Sequence, residues 1–418
     1  VTTTSNVSDT PVPAAAAPDV DVVCLGESMV TFLPTVPGPL ADVPAFERAI
    51  GGAESNVACA LARAGHTARW VSRVGADGFG DHLVREIAGY GVDTRAVRRD
   101  PVRPTGIYFR TAGDRATAAH EVAYYRTGSA ASAMAAGTVD LAALRTGRIL
   151  HLSGITAALS EDCHGLLRAA MARPGPAGGD GSAAGVGSAV GAVTAAGPGA
   201  GSATDTPQGL GTHPHRPLIS FDVNYRPHLW TGAARDPRVL LDLARGADLV
   251  FVGADEARAA WGLADARAIR AALPEPEVLV VKLGRAGARV FRHAPGGPGS
   301  PGSPGSPGRP GPGWDEEPGG VLVPAPAVEV VAEVGAGDAF AAGFLSGTLR
   351  GLPLRARVRY GHLWAAAALT VPGDLAAPPA RALADRLAAL DEAAWGTLHL
   401  GPGWTDAQEA ADQEVSPS

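Results

Sequence analysis

The sequence predicts an α/β fold: a three-layer α/β/α core with a mostly parallel sheet, and a small β-lid beside it. Two observations carry this expectation. Short apolar runs ending in small or polar residues alternate with Ala/Leu/Arg-rich helical stretches, the pattern of buried parallel strands covered on both faces. A different texture appears at "TGIYFR" (Thr105–Arg110) and "HEVAYYR" (His120–Arg126), which read as hairpin strands set apart from the sheet.

The sheet strands are expected at "DVVCLGE" (Asp21–Glu27), "RILHLSGI" (Arg148–Ile155), "LISFDVN" (Leu218–Asn224), "ADLVFVG" (Ala247–Gly253) and "VLVVKLG" (Val278–Gly284). Helices are expected between them, at Ser55–Ala64, Asp81–Tyr90, Pro237–Gly246 and Glu256–Gly262. In such sheets ligands collect beyond the carboxyl ends of the strands, where these polar endings point. The lid should draw on residues about 29–49 and 104–126. Three segments have nothing to bury: the Thr/Ser/Pro/Ala-rich tail 1–18, the Gly/Ala/Ser/Thr/Pro stretch 174–217, and 294–320 with its "PGSPGSPG". The last two read as loop insertions in one domain spanning 19–396, because strand-like runs resume after each and loop closure grows costly only slowly with length. Residues 397–418 read as a C-terminal tail.

Composition narrows the function. The chain has 418 residues, 46% of them hydrophobic, which suffices for one large core. A net charge of −7 offers no basic footprint for nucleic acid. Cys24, Cys59 and Cys163 are widely spaced and form no zinc or disulfide pattern. No run of eighteen apolar residues and no leader-like N-terminus occurs, so a cytoplasmic protein without a membrane partner is expected. Lys282 is the only lysine; with the Ala/Gly/Pro excess, this reads as the coding bias of a GC-rich genome.

"VGAGDAFAAGF" (Val334–Phe344) carries the chemistry. Gly335 and Gly337 permit close backbone approach, and the helical pattern from Ala339 puts them at a helix N-terminus, where free N–H groups favour an anion. Asp338 would repel that anion unless it has a task of its own. Either it complements the helix dipole or it is a base. A dinucleotide-binding loop is excluded, since Phe340 occupies the third glycine position.

"GGAESNVACALARAG" (Gly51–Gly65), "RVGADGFGDHL" (Arg73–Leu83) and "GAGDAFAAGFL" resemble, in order and spacing, the ribokinase-like (PfkB-type) carbohydrate kinases, over roughly Val22–Asp374 without the inserts. Within that family "TGIYFR", "YYRTGSAAS" (Tyr124–Ser132), "HLSGI" and "SFDVNYRPHLW" (Ser220–Trp230) resemble 2-keto-3-deoxygluconate kinases. The resemblance implies ATP as donor, magnesium as partner and a sugar acid as acceptor, with homo-oligomer formation through the β-lid as a further implication. It makes Gly335, Ala336 and Gly337 N–H donors to the γ-phosphoryl and Asp338 the base for the sugar hydroxyl. Gly52, Asn56, Tyr108, Tyr124, Arg126 and Arg226 fall at the sugar, the two arginines as forks for a carboxylate. Tyr108 and Tyr124 either contact sugar or pack the lid, and Tyr125 should face the opposite side. Asp222, Asn224, Lys282, Gly284, Gly287, Gly335 and Gly337 fall at ATP. There Lys282 reads either as a phosphate contact or as a structural charge, and Asp222 and Asn224 either as phosphate neighbours or as turn formers.

Three departures from the family pattern stand out. Glu256 matches the acidic end of an Asn-x-x-Glu motif that organises magnesium through water, but Gly253 stands in the Asn position. Ala332, Glu333 and Val334 replace the Asp-Thr linked to a monovalent cation, so potassium activation is not expected. "LWAAAALTVPGD" (Leu363–Asp374) lacks the Asn near adenine, which points to mainly apolar base recognition. His151 and Cys59, in apolar surroundings, read as core. The rival acceptors are fructose and 5-keto-2-deoxygluconate, and the non-enzyme rival is a catalytically silent sugar-acid sensor.

Overall fold

The computed structural model describes residues 19–111, 122–172, 216–231, 236–293 and 319–406. The tail 1–18, nearly all of both inserts, and residues 112–121 within the second lid segment lie outside them.

Valine-rich runs form the main sheet, as β-branched residues suit a pleated, doubly buried strand. In chain order the strands are β1 (Val20–Leu25), β2 (Met29–Pro34), β3 (Phe46–Gly51), β4 (Ala68–Val71), β5 (Arg73–Gly75) and β6 (Arg98–Asp100). There follow β7 (Ile107–Arg110), β8 (Val122–Tyr125), β9 (Gly147–Ser153), β10 (Leu218–Asp222) and β11 (Leu249–Gly253). The last are β12 (Val278–Lys282), β13 (Ala288–Arg292), β14 (Val321–Val323), β15 (Ala327–Val328) and β16 (His399–Leu400). The 8-stranded sheet runs β14-β13-β12-β11-β10-β9-β1-β4, parallel from β12 to β4 and antiparallel at β13 and β14.

Alternation along each strand divides the core in two. Val22, Cys24, Phe251 and Val280 pack with Leu61, Leu83, Phe344 and Leu363 from the helices Ala53–Arg63, Gly78–Gly89, Ala336–Leu349 and Leu354–Leu369. Val23, Leu25, Val250 and Val252 pack on the opposite face with Leu166, Leu240 and Ile269 from Glu161–Met171, Arg238–Gly246 and Ala266–Ala272. The ribokinase-like α/β architecture expected from the sequence is therefore present. His151 is 1% exposed, shares a 3.0 Å hydrogen bond with Ser220, and is pushed down to about 3 in pKa by burial. Cys59 is also buried, its thiol pushed up to about 12.

The lid is a 4-stranded sheet ordered β3-β2-β7-β8. Period-two alternation gives it two unlike faces. Phe32 and Phe109 stack at 4.7 Å on one face, and Tyr125 meets Phe109 edge-on there. Tyr108 and Tyr124 lie 5.5 Å apart on the other.

The C-terminal boundary differs from the expected tail at 397. β16 pairs in parallel with β15 through Ala327↔His399 and Val328↔Leu400, Leu400 is 5% exposed, and described structure continues to Asp406. A strand of two residues carries no periodic signal, so nothing in "TLHL" betrays it. Ending the chain after Gly396 should lower unfolding stability by about 1.5–3 kcal/mol, the worth of one fully buried leucine. Urea denaturation of the truncated protein checks this, and an unchanged midpoint would contradict the pairing.

Candidate active site

A cavity of about 840 Å³ opens where the carboxyl ends of the sheet strands face the lid. Its walls come from segments far apart in sequence: Asp222 ending β10, Asn224 and Arg226 after it, Lys282 ending β12, and Gly335, Gly337 and Asp338 from the glycine loop. Gly52 and Asn56 enter from the turn into the Ala53–Arg63 helix, and Tyr108, Tyr124 and Arg126 from the lid. Glu256 also lines it.

The glycine loop is shaped by main-chain crowding. Gly335 caps the helix at φ +78, and a Cβ there would lie 2.3 Å from the carbonyl oxygen of Asp374. Only glycine fits. Asp338 follows in the first helical turn, with its Oδ2 accepting a 2.8 Å hydrogen bond from Asn56 Nδ2. Burial and the nearby Asp222 raise its pKa to about 7, against the opposing pull of Asn56, Arg226 and Lys282. A carboxylic acid poised near neutrality in a cleft has the property that a general base requires.

Lys282 makes 3.0 and 3.1 Å contacts with both oxygens of Asp222, which is 2% exposed. Burial works against the lysine's charge, yet Asp222 and Glu256 hold its pKa above the usual value. It therefore reaches the cavity floor as a cation, and a Cβ on Gly337 would lie 3.7 Å from its Nζ. Asn224 adopts a left-handed φ of +39, a turn conformation that asparagine tolerates better than most residues. Glu256 folds back so that its Oε2 accepts from the Gly253 N–H at 3.1 Å, and a Cβ on Gly253 would press on it at 3.1 Å. The Gly253 departure is thus filled by Glu256 itself.

The two arginines expected at the sugar part company. Arg126 is ion-paired with Glu27, whose other oxygen accepts from Ser129 at 2.8 Å. Arg226 is exposed and has no carboxylate partner among the described residues. Tyr124 stacks on His228 with centroids 5.1 Å apart, joining lid to core at the rim.

Gly284, Gly287 and Ala336 do not line the cavity. At Gly287 the chain itself comes close, since a Cβ would lie 2.2 Å from the carbonyl oxygen of Val323. Sequence reasoning missed Glu27, Arg110, His228 and Asp374, which also line the cavity. Tyr108 donates to Asp374 Oδ2 at 2.7 Å and Arg110 to Oδ1 at 2.8 Å. The period-two spacing of Tyr108 and Arg110 in "TGIYFR" was a usable signal for a shared face; nothing local marked Asp374.

Fold and site together suit phosphoryl transfer: an anion-favouring glycine turn, an adjacent buried acid held near neutrality and a cationic floor at a sheet's carboxyl edge. The model of the pfkB family carbohydrate kinases matches residues 19–175 and 214–381, and the chain belongs to that family. It is an ATP-dependent carbohydrate kinase. A 2-dehydro-3-deoxygluconokinase of Bacillus subtilis is 30% identical over 371 residues, covering 86% of this chain and 93% of the relative. One of Thermoproteus tenax is 29% identical, covering 88% and 94%. The crystal structure of a PfkB protein from Polaromonas sp. JS666 superposes with a TM-score of 0.63 at 28% identity, over 88% of this chain and 99% of that one.

Removing the Asn56 donor should raise the Asp338 pKa further, because that hydrogen bond favours the ionised acid. For Asn56→Leu the acid limb of the kcat/KM–pH profile should move up by about 1–2 units, the equivalent of a hydrogen bond to a charged group. A limb that stays in place would detach Asn56 from control of the acid.

Proposed function

We propose that the protein transfers the γ-phosphoryl of ATP to the primary 6-hydroxyl of 2-keto-3-deoxygluconate. The observation that carries the substrate class is Arg226, a cation with no described carboxylate partner that opens onto the same cavity as Asp338. A sugar acid supplies the missing carboxylate. The two deoxygluconokinase relatives support the same choice.

In this reading the sugar lies under the lid, against Gly52, Asn56, Tyr108 and Tyr124, with Arg126 oriented by Glu27. Asp338, ionised, takes the proton of the primary hydroxyl as its oxygen bonds to the γ-phosphorus and the bond to the ADP oxygen breaks. Main-chain N–H groups of the cavity-lining Gly335 and Gly337 and the Lys282 ammonium receive the charge gathering on the transferred group. Among the described residues no three His, Cys, Asp or Glu side chains cluster to cage a metal. Magnesium, bound with the nucleotide, would neutralise phosphate charge here, and Glu256, which lines the cavity, would accept from its waters. Pairing of two copies through the lid belongs to the same reading, supported by the 65% exposure of Tyr125 on its outer side.

A neutral ketohexose is the second reading. The Arg126–Glu27 pair favours it, because it leaves one cation instead of two for an acid group.

Two measurements test the proposal. Asp338→Asn should lower kcat at least ~100-fold with substrate KM within several-fold. In the unmodified enzyme kcat/KM should rise with pH through about 7, since the base works only when deprotonated. Near-normal turnover of the Asn variant would remove Asp338 as the base. For the substrate, Arg226→Leu should cost about 1.5–3 kcal/mol in kcat/KM on ketodeoxygluconate and much less on fructose. Equal losses would favour the ketohexose.

A further inference from the structure

Asp374 sits at the junction of three parts of the cavity wall. Its side chain divides its two oxygens between Tyr108 and Arg110 of β7, at 2.7 and 2.8 Å. These partners lie two residues apart on one strand, so both reach down from the same lid face. The Arg110 and Asp374 side chains are only 10% and 6% exposed. The Tyr108–Asp374 hydrogen bond passes directly over Gly51, where a Cβ would lie 2.2 Å from the tyrosine hydroxyl and 2.6 Å from Asp374 Oδ2. On its other side, the main-chain carbonyl of Asp374 lies against Gly335, the residue that opens the glycine loop. One residue therefore touches the lid through its side chain and the anion-favouring turn through its backbone.

We propose that Asp374 is a positioning residue that makes lid placement and glycine-loop geometry a single equilibrium, so that sugar and nucleotide bind with positive coupling. The inference rests on the reading that sugar binds beneath the lid and ATP phosphates at Gly335–Gly337. Any lid position that withdraws Tyr108 and Arg110 leaves a sheltered carboxylate without its two donors, which is costly. Burial and Asp374 keep the Tyr108 phenol protonated, so the donor persists at any working pH. A sugar that holds the lid down thus favours the placement of Asp374, and with it the main-chain wall on which Gly335 rests. A nucleotide that orders the loop favours the same placement from the other end. By linkage each ligand must tighten the other by the same factor.

The test uses the full-length protein, magnesium with a non-hydrolysable ATP analogue (AMP-PNP), and whichever of ketodeoxygluconate or fructose the enzyme turns over faster. Sugar Kd is measured by calorimetry with and without saturating AMP-PNP. The unmodified protein should bind sugar roughly tenfold more tightly with the analogue, within the usual range of coupling between sites. In Asp374→Ala the ratio should fall below about twofold, while the Kd for AMP-PNP alone changes by less than about threefold. A merely structural role would weaken both ligands or lower Tm while leaving the ratio intact. Arg110→Gln combined with Tyr108→Phe, which leaves the Asp374 loop unaltered, should abolish the ratio too and covers the case in which Asp374→Ala fails to fold. A ratio retained in either folded variant, or absent from the unmodified protein, overturns the coupling. If the enzyme phosphorylates neither sugar, the reading of the site fails first, and the turnover assay shows this before any Kd is measured.

Discussion

Asp338 is asked to coexist with conditions that suit other anions. It lies in the first turn of a helix whose amides and dipole welcome negative charge, with Lys282 close by, yet burial and Asp222 oppose its own ionisation. The surrounding architecture follows from holding that balance. β10 and β12, both parallel and buried on both faces, deliver Asp222 and Lys282 to the same edge, and the 3.0 Å pair between them sets how much charge Asp338 feels. Asn56 comes from a third direction, on a helix that begins at the double glycine. A shift in any of these elements would move the Asp338 carboxyl away from the near-neutral point at which it is held.

The Ala53–Arg63 helix is itself pinned by an unusual device. Glu54, fully buried, accepts 2.7 Å hydrogen bonds from both Ser153 and Thr156, and burial lifts its pKa to about 6. Its carboxyl group occupies the space a side chain on Gly26 would need, with the Cβ position only 2.0 Å from Glu54 Cδ. The ends of β1 and β9 are thereby fixed to the turn that carries Asn56.

Much of this was legible in the sequence, for physical reasons. Five buried strands announced themselves as continuous apolar runs, and the glycine loop as a pattern with no packing rationale. The family resemblance marked Tyr108 and Tyr124, and period-two alternation set Tyr125 on the opposite face of the lid. Other features carried no such mark. β4 is only four residues long, and in β13, "ARVFR", Arg289 and Arg292 break the apolar run. β14 and β16 are too short for any period to show. Glu54 looked like any acid in a first helical turn, since burial depends on what packs over it. Asp374 was illegible because its meaning comes from residues 266 and 264 positions away. At Gly287 the close approach that demands glycine comes from the end of β14, a neighbour the local sequence did not reveal.

The sole lysine of the chain ends β12 at the cavity floor, paired with Asp222. Every other basic side chain that is not histidine is an arginine, inert to reagents that acylate or reductively methylate amines. Apart from the chain terminus, amine chemistry on this protein is therefore chemistry at one atom, Lys282 Nζ. An isotopic methyl label placed there would report on the floor of the site, with the chain terminus as the only other labelled amine.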